Sequence, residues 1–445
     1  MRSSMSRLRG ARRVCREVPP RGRRQASGHP PRRFGALVLG VSVIVAGCAA
    51  PAEETVVFWS FTGIQQAAQV ERYLRAHPEA RITLSEVGTS TETADALTAA
   101  LAGGNAPDLV LIQEEDLPRF VAADGHFRDL REFGADELAA DYLPWAWDAA
   151  TTASGRVIGI PTDVGGMALA YRADLFAEAG LPTDPAEVAA LWPTWEEFVR
   201  VGAEFAARSD AAFLDNISTT MFVNAVNQLP IKYYAADGEL ALDDNDELRT
   251  AFDAALDAHD AGISRGLAAF SAGWSAGMAR GDFAVTAAPS WMLRVIESTA
   301  PETEGRWRIT SVPGITGNWG GSYLAIPSRS RHPEKAWDYI AATQSPDAQS
   351  EHFAAGGPLP AAIAPYRDEE IAAYADDFFG PSAIGAVLTS SLLDRGAVPQ
   401  GPATSTVNRA FLQALESVEQ GSLDADEAWA SLRAAVDAAV PAGGP

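Results

Sequence analysis

The chain has 445 residues, and its 58 aspartates and glutamates outnumber its 35 lysines and arginines, which gives a formal net charge of −23. This length exceeds one average domain and fits two, each long enough to bury a substantial core. The acidic balance argues against binding to nucleic acid or, by electrostatic attraction, to anionic lipid, because both are negatively charged.

The first 47 residues are predicted to be a signal peptide. Residues 1–35 carry eleven arginines, and 36–46 is an apolar run too short to span a bilayer in the mature protein. The run ends in Val45-Ala46-Gly47-Cys48, which resembles the lipobox of bacterial lipoproteins. We therefore expect lipidation of Cys48, a tether over 48–55 and anchoring at the outer face of the cell membrane. The alternative is an ordinary secretory signal with Cys48 incidental, and a twin arginine before the run also permits Tat export.

Several kinds of chemistry have no support in the sequence. The only cysteines are Cys15 and Cys48, so the mature body is expected to hold no disulfide. Six histidines lack any paired spacing, and the phosphate-binding and serine-nucleophile motifs are absent, so no metal and no cofactor are expected. Carboxylates are abundant, which leaves a glycosidase acid/base pair open.

The first part of the body alternates between predicted strands and helices. Strands are expected at 56–61, 81–87 and 109–112, with helices reaching 77, over 89–101 and from about 115. This alternation predicts a doubly wound α/β sheet, in which ligands bind beyond the carboxyl ends of strands. That edge is expected to hold Trp59, Ser60, Phe61 and Glu115.

Residues 155–172 read as strand, break and strand, which we interpret as the first crossing between two lobes. Asp163 is then at the mouth of the cleft between them. Helices follow at 174–179, 194–208, 216–228, 245–260 and 270–280, then a strand at 283–287 and a helix opened by Pro289 that carries Trp291. Further crossings are expected near 309–313 and 356–360, on either side of a strand at 320–326 and a helix at 333–343. Helices at 404–420 and 424–440 end the chain.

Aromatic residues beside small or polar ones suggest the chemistry of a ligand. Trp59 ends a strand, Trp291 follows Ala-Pro-Ser, and Trp319 precedes Gly320, Gly321 and Ser322. An indole face covers the C–H face of a sugar, while carboxylates such as Asp163 and Glu115 accept hydrogen bonds from its hydroxyls. The alternative for each aromatic is core packing, which we favour for Trp192, Trp195, Trp337 and Trp429 and leave open for Trp59 and Phe61.

The order and spacing of several short segments resemble the extracellular sugar-binding proteins of bacterial ABC importers, the group that includes maltose-binding protein. The resemblance covers nearly all of the mature chain and rests on 56–61, Gly104-Asn105-Ala106-Pro107-Asp108-Leu109-Val110, 155–161, 169–181, Pro193-Thr194-Trp195-Glu196-Glu197-Phe198, 320–327 and Glu334-Lys335-Ala336-Trp337. One departure is Tyr171-Arg172-Ala173, where the family usually has Tyr-Asn-Lys.

The resemblance implies a two-lobed α/β fold of the periplasmic-binding-protein type II, with a multi-segment hinge. Lobe 1 is expected over 56–162 and 312–356, and lobe 2 over 163–311 and 357–445. It also implies a non-enzymatic, monomeric receptor that closes on a mono- or oligosaccharide and delivers it to the permease subunits of an ABC transporter. By position, Trp291 matches a stacking tryptophan, and the 216–227 helix, with Asn216 and Asn227, supplies contacts from the second lobe.

Three alternatives remain open from the sequence. The first is a binding protein for another solute, such as a polyamine or a glycerol phosphate, because aromatic boxes also hold ammonium groups. The second is a secreted glycosidase or lyase. The third is a surface protein that only contacts a protein partner.

Overall fold

The computed structural model describes residues 55–440, apart from 65, 315, 316, 368, 391 and 394. The predicted signal peptide, Cys48 and nearly all of the tether lie outside the described residues. The described residues belong to one compact unit, 51–445. Among them, no helix is both long enough and apolar enough to cross a membrane.

The strands form two separate sheets. The strands among the described residues are β1 Val56–Ser60, β2 Ile82–Glu86, β3 Leu109–Gln113, β4 Ile160–Val164, β5 Leu169–Arg172, β6 Ala212–Leu214, β7 Phe283–Ala287, β8 Trp307–Thr310, β9 Gly321–Ala325 and β10 Leu359–Pro360. Their order is β10-β4-β9-β3-β1-β2 in a six-stranded sheet and β6-β7-β5-β8 in a four-stranded sheet.

Helices surround both sheets. The α-helices before the second sheet is complete are α1 Gln66–Ala76, α2 Ser90–Gly103, α3 Leu117–Ala122, α4 Pro144–Ala149, α5 Ala173–Glu178, α6 Pro185–Ala189, α7 Trp195–Ala206, α8 Asn224–Val226, α9 Asp246–Asp260, α10 Ala272–Arg280 and α11 Ser290–Thr299. The later ones are α12 Pro333–Thr343, α13 Pro346–Ala354, α14 Ala364–Arg367, α15 Glu369–Ala372, α16 Ile384–Thr389, α17 Thr404–Glu419 and α18 Ala425–Ala439. A π-helix, Ile217–Val223, precedes α8, and short 3₁₀ helices lie at Asp124–His126, Leu130–Phe133, Ala135–Glu137, Ala139–Asp141, Pro301–Thr303 and Asp377–Phe379.

Both sheets mix parallel and antiparallel pairs. Strands β1, β2 and β3 pair in parallel, as the alternation with helices predicts. Strand β9 runs antiparallel between β3 and β4, and it follows β8 of the other sheet in the chain. The predicted crossing near 309–313 overlaps the end of β8, because Ile309 and Thr310 pair with β5 and the chain leaves the four-stranded sheet after Thr310.

Local sequence explains where helices begin. Thr89 caps α2 through a full capping box, in which its hydroxyl accepts from the Glu92 amide and the Glu92 carboxylate accepts from the Thr89 amide. Thr194 caps α7 through the Glu197 amide at 3.2 Å. The spacing of Thr194 and Glu197 predicts a full capping box, but the Glu197 carboxylate pairs with Arg200 at 2.6 Å.

A buried carboxylate holds the four-stranded sheet to its helices. Asp215 is 1% exposed, and its oxygens accept from Thr220 Oγ1 (2.6 Å), Trp274 Nε1 (2.8 Å) and Thr286 Oγ1 (2.8 Å). The Asn216 amide is a fourth donor at 2.8 Å. One side chain therefore joins the end of β6, the π-helix, α10 and β7.

Replacement of Asp215 should destabilise the fold strongly. Asp215→Ala leaves buried donors unpaired, and we expect a loss of about 3 kcal/mol or more in the free energy of unfolding, measured in urea. Asp257→Ala, an exposed position in α9, is the control and should change stability by less than about 0.5 kcal/mol. An equally small loss for Asp215→Ala would show that this network does not hold the sheet.

Candidate functional site

The end of β3 carries two adjacent glutamates into the interior. Residues Leu109 to Ile112 are buried in the six-stranded sheet, and the chain turns after Gln113, with the Asp116 amide bonded to the Gln113 carbonyl at 3.0 Å. Pro118 lies in the first turn of α3, which begins at Leu117. Glu114 and Glu115 therefore occupy the carboxyl end of a central strand, as the sequence predicts for Glu115.

These glutamates border a narrow cavity, which we call the polar cavity. Three separate parts of the chain line it. Its lining residues are Glu114 and Glu115 after β3; Val226, Asn227, Lys232 and Tyr233 at and after the end of α8; and Gln400, Thr404 and Asn408 at and before the start of α17.

Hydrogen bonds connect the three parts across the polar cavity. Gln400 Nε2 donates to Glu114 Oε1, and Asn408 Nδ2 donates to Glu115 Oε2 at 3.1 Å. The Tyr233 hydroxyl donates to Asn408 Oδ1 at 2.7 Å. The Lys232 ammonium donates to Asn227 Oδ1.

The charged groups in the polar cavity shift one another's pKa values. Burial raises the pKa of Glu115 to about 7, and the neighbouring Glu114 carboxylate adds to this rise while Lys232 opposes it. Burial also lowers the pKa of Lys232, against the attraction of Glu114 and Glu115. The cavity therefore offers carboxylate acceptors and one ammonium donor in a desolvated space, where each bond to a polar ligand is strengthened.

Asp163 and Ser322 lie at the same edge of the six-stranded sheet. Ser322 pairs with Gln113 of β3 on one side and Asp163 of β4 on the other, and the Glu114 amide donates to the Gly321 carbonyl at 2.9 Å. Burial raises the pKa of Asp163 to about 6, although hydrogen bonds from Thr162 and Ser322 oppose the rise. Asp163, Gly321, Ser322 and the β3 glutamates are thus neighbours along one edge.

The Trp291 ring contacts two other aromatic rings, those of Trp319 and Phe270. The Trp291 and Trp319 rings meet edge to face at 5.4 Å, and Trp291 Nε1 donates to the Trp319 carbonyl at 3.1 Å. Gly320 lets this indole approach, because a Cβ there would lie 2.8 Å from Trp291 Nε1. Phe270 stacks on Trp291 at 6.1 Å, is 56% exposed and has a φ of 63°. A strained, exposed aromatic is typical of functional surfaces.

The other predicted site residues lie outside the lining of the polar cavity. Phe61 is a core residue at 7% exposure, the buried Ser60 hydroxyl donates to the Phe61 carbonyl, and Trp59 packs against the cluster around β3. The Asn216 side chain caps the π-helix: its oxygen accepts from Ser218 and Thr219, and its Nδ2 donates to the Leu267 carbonyl. Of the two predicted asparagines, only Asn227 lines the polar cavity.

The sequence analysis did not predict most of the residues that line the polar cavity. Gln400, Thr404, Asn408 and Tyr233 are ordinary polar residues, and only folding brings them to β3. Lys232 carried a signal, because it is one of only two lysines in the chain and lies among the apolar residues Ile231, Tyr233 and Tyr234. Phe270 gave no sign of its positive φ.

The polar cavity should make the stability of the protein depend on pH. A carboxyl whose pKa is raised by folding favours the folded state less as it ionises, so the unfolding free energy should fall between about pH 4.5 and pH 7. Glu115→Gln should remove up to about 3 kcal/mol of that fall. Unfolding in urea at pH 5 and at pH 8 measures this fall in the free energy of unfolding. Glu187→Gln, an exposed change, is the control and should keep the wild-type profile. Identical profiles for wild type and Glu115→Gln would contradict the burial argument.

Known proteins resemble this chain over most of its length. Residues 59–350 match the model of a family described as bacterial extracellular solute-binding protein. The chain is 23% identical over 417 residues to the lactose-binding protein of Rhizobium radiobacter, which covers 88% of this chain and 94% of that protein.

Solved structures share the fold. A crystal structure of an extracellular solute-binding protein of family 1 is 32% identical with a TM-score of 0.77, and the match covers 86% of this chain and 99% of that one. An ABC transporter associated binding protein from B. animalis subsp. lactis, in complex with β-1,6-galactobiose, is 20% identical with a TM-score of 0.74. That match covers 87% of this chain and 97% of the other.

Proposed function

The chain belongs to the family of bacterial extracellular solute-binding proteins, and from that premise we propose that it is the sugar receptor of an ABC importer. The expected family and the two-lobed α/β fold of the periplasmic-binding-protein type II are confirmed by these similarities. Membership also implies an exported protein.

The observation that carries the proposal is the polar cavity. It combines two carboxylates, two amide side chains from asparagine and one from glutamine, a threonine and a lysine in a desolvated space. Such a set suits a neutral solute with several hydroxyl groups, because each hydroxyl both donates and accepts. The lactose-binding relative supports a sugar as the solute class.

Lys232 favours a sugar over a polyamine. An acidic cavity would attract a polycation, but the Lys232 ammonium faces the same space as Glu114 and Glu115. It would repel a second cation and already neutralises part of the carboxylate charge. The acidic composition of the chain is therefore no longer a reason to expect a polyamine in this cavity.

Closure of two lobes would couple solute binding to transport. Glu114 and Glu115 directly follow β3 of the six-stranded sheet, whereas Val226 and Tyr233 pack in the hydrophobic cluster around the four-stranded sheet. A solute that contacts both sides favours the closed state by its differential affinity, and the closed receptor would dock on the permease subunits.

The pairing of strands refines the proposed lobes. Asp163 and Val164 pair with β9, and Leu359 and Pro360 pair with β4. We therefore move the first crossing to 165–168 and the third beyond 360, and otherwise keep the lobes predicted above. The lipid anchor on Cys48, the monomeric state and the absence of catalysis are parts of the same proposal.

Binding of sugars to the mature chain tests the function directly. Galactose, lactose, β-1,6-galactobiose, maltotriose and spermidine are added in a thermal-shift screen, and hits are measured by calorimetry. At 100 times its dissociation constant a sugar should stabilise the protein by about 2.7 kcal/mol. Glu115→Ala should abolish the shift, whereas Glu187→Ala should keep it. A shift with spermidine alone, or hydrolysis of lactose during the titration, would contradict the proposal.

The aromatic residues Trp291 and Phe270 provide a second test of the proposed function. Trp291→Ala should weaken the affinity for the bound sugar at least tenfold by removing the indole face, and Trp291→Phe should retain most of it. Phe270→Ala should weaken binding with little change in the melting temperature, because Phe270 is exposed. Leu393→Ala, a similarly exposed apolar position, is the control. Wild-type affinity in both alanine variants would remove these aromatics from the site.

A further inference from the structure

Three consecutive carboxylates follow β3, and one short stretch of chain provides a hydrogen-bond partner for each of them. The stretch is 400–408, which includes the first turn of α17. Every partner is a neutral amide or hydroxyl. The three pairs are Glu114 with Gln400, Glu115 with Asn408, and Asp116 with Ser405.

The stretch 400–408 is fixed to the helices around the four-stranded sheet. Phe411 of α17 stacks on Phe222 of the π-helix, with ring centres 5.0 Å apart and ring planes at 7°. Just before α17, the Ala403 amide donates to the Tyr234 hydroxyl at 3.2 Å. Phe222 and Tyr234 both belong to the hydrophobic cluster around the four-stranded sheet. The three pairs therefore join the two proposed lobes.

We propose that these pairs form a clasp between the lobes, which stabilises the closed receptor independently of the chemistry of its solute. The clasp consists of residues 114–116 on one side and Gln400, Ser405 and Asn408 on the other. This inference rests on the proposed function and adds a set of residues that adjusts affinity through the closing of the lobes.

Burial makes the partners of the carboxylates necessary. Glu114 is 6% exposed and Asp116 is 2% exposed, so both carboxylates have lost most of their contact with water. Burial raises the pKa of Asp116, and the hydrogen bond from Ser405 opposes this rise. A buried carboxylate that loses a partner keeps its desolvation cost. The partners in 400–408 therefore offset a cost that the closed state would otherwise carry.

Charged groups from both lobes surround Asp116. On its own side Arg119 forms an ion pair with it at 2.9 Å, and Asp95 binds the same guanidinium at 3.0 Å. On the other side Arg409, one turn after Ser405 in α17, attracts the Asp116 carboxylate. Arg409 is exposed, so solvent screens this attraction and keeps it weak.

The amino-terminal end of α17 also favours the clasp. The helix has 16 residues and begins at Thr404, which lines the polar cavity beside Glu114 and Glu115. The start of an α-helix carries a partial positive charge, which attracts nearby carboxylates. This attraction joins the two lobes in the same way as the hydrogen bonds.

Part of the clasp lies outside the lining of the polar cavity. Asp116, Ser405 and Arg409 are not among the residues that border it. The apparent affinity of a two-state receptor falls with the fraction of molecules in the binding-competent state. A weaker clasp should therefore lower the affinity for every solute by the same factor, whereas the loss of a solute contact affects different solutes differently.

Two variants weaken the clasp outside the polar cavity. Ser405→Ala removes the hydroxyl that binds Asp116, and Ser422→Ala, at an exposed position after α17, is its control. Arg409→Gln removes the charge across the interface, and Arg75→Gln, at a largely exposed position in α1, is its control.

Two measurements compare these variants with the wild type. Small-angle X-ray scattering of the mature protein without sugar gives the radius of gyration, which increases when the lobes separate. Calorimetry with galactose, lactose, β-1,6-galactobiose and maltotriose gives the affinities, and melting temperatures verify folding.

The expected result is a uniform loss of affinity. Ser405→Ala should raise the dissociation constant about three- to tenfold, by the same factor for every sugar that the wild type binds. Arg409→Gln should raise it about twofold. Both should have a larger radius of gyration than the wild type without sugar, and both controls should match the wild type.

Wild-type affinities and a wild-type radius of gyration in folded Ser405→Ala would overturn the inference. A loss of affinity confined to one sugar would also overturn it, because Ser405 would then be a solute contact. Failure of the wild type to bind any of the four sugars would instead contradict the proposed function, and the scattering comparison would still test the clasp.

Discussion

The close approach of two crossing segments is the constraint on which the rest of the structure depends. A Cβ on Gly165 would lie 1.8 Å from the carbonyl oxygen of Trp319, so only glycine allows the segment after β4 to pass the segment before β9. The buried Asn318 side chain then accepts from the Gly165 amide and donates to the Gly320 carbonyl. This junction fixes Asp163 and Ser322 beside β3 and positions Trp319 under Trp291.

The polar cavity shows how charge is kept inside an acidic protein. Glu115 is bound by Asn408, Glu114 by Gln400, and Lys232 by Asn227, so each of these three charged groups has a neutral amide as a hydrogen-bond partner. Amide partners can exchange with solute hydroxyls at small cost, because both are neutral hydrogen-bonding groups. A tight ion pair would lose much more when a sugar displaced it. These neutral partners fit the proposed role of the polar cavity as the solute site.

The sequence predicted those features that depend on local pattern. Alternating strands and helices predicted the parallel pairing among β1, β2 and β3, and the position of Glu115 followed from the end of an apolar strand. The dipeptide Asp237-Gly238 between two apolar segments also predicts a hairpin turn. The turn forms, with Tyr234 and Leu240 bridged and Gly238 at a φ of 87°.

Features that depend on packing could not be predicted in this way. Asn216 and Asn227 are equivalent by composition, yet one is consumed as a helix cap and the other reaches the polar cavity. Asn408 and Gln400 meet the β3 glutamates across nearly three hundred residues, and no periodicity encodes such a contact. A π-helix stands where the sequence predicts an α-helix, and Thr220 within it donates to the Asp215 carboxylate.

The scarcity of lysine has a consequence for observing the protein at work. Lys232 is 6% exposed, and the only other lysine, Lys335, lies in the exposed part of α12. An amine-reactive reagent can reach the Lys232 ammonium only while the polar cavity is open. Mass spectrometry can measure how fast Lys232 is acylated, with Lys335 as an internal standard. That rate reports how often the polar cavity opens, and the measurement needs no introduced residue.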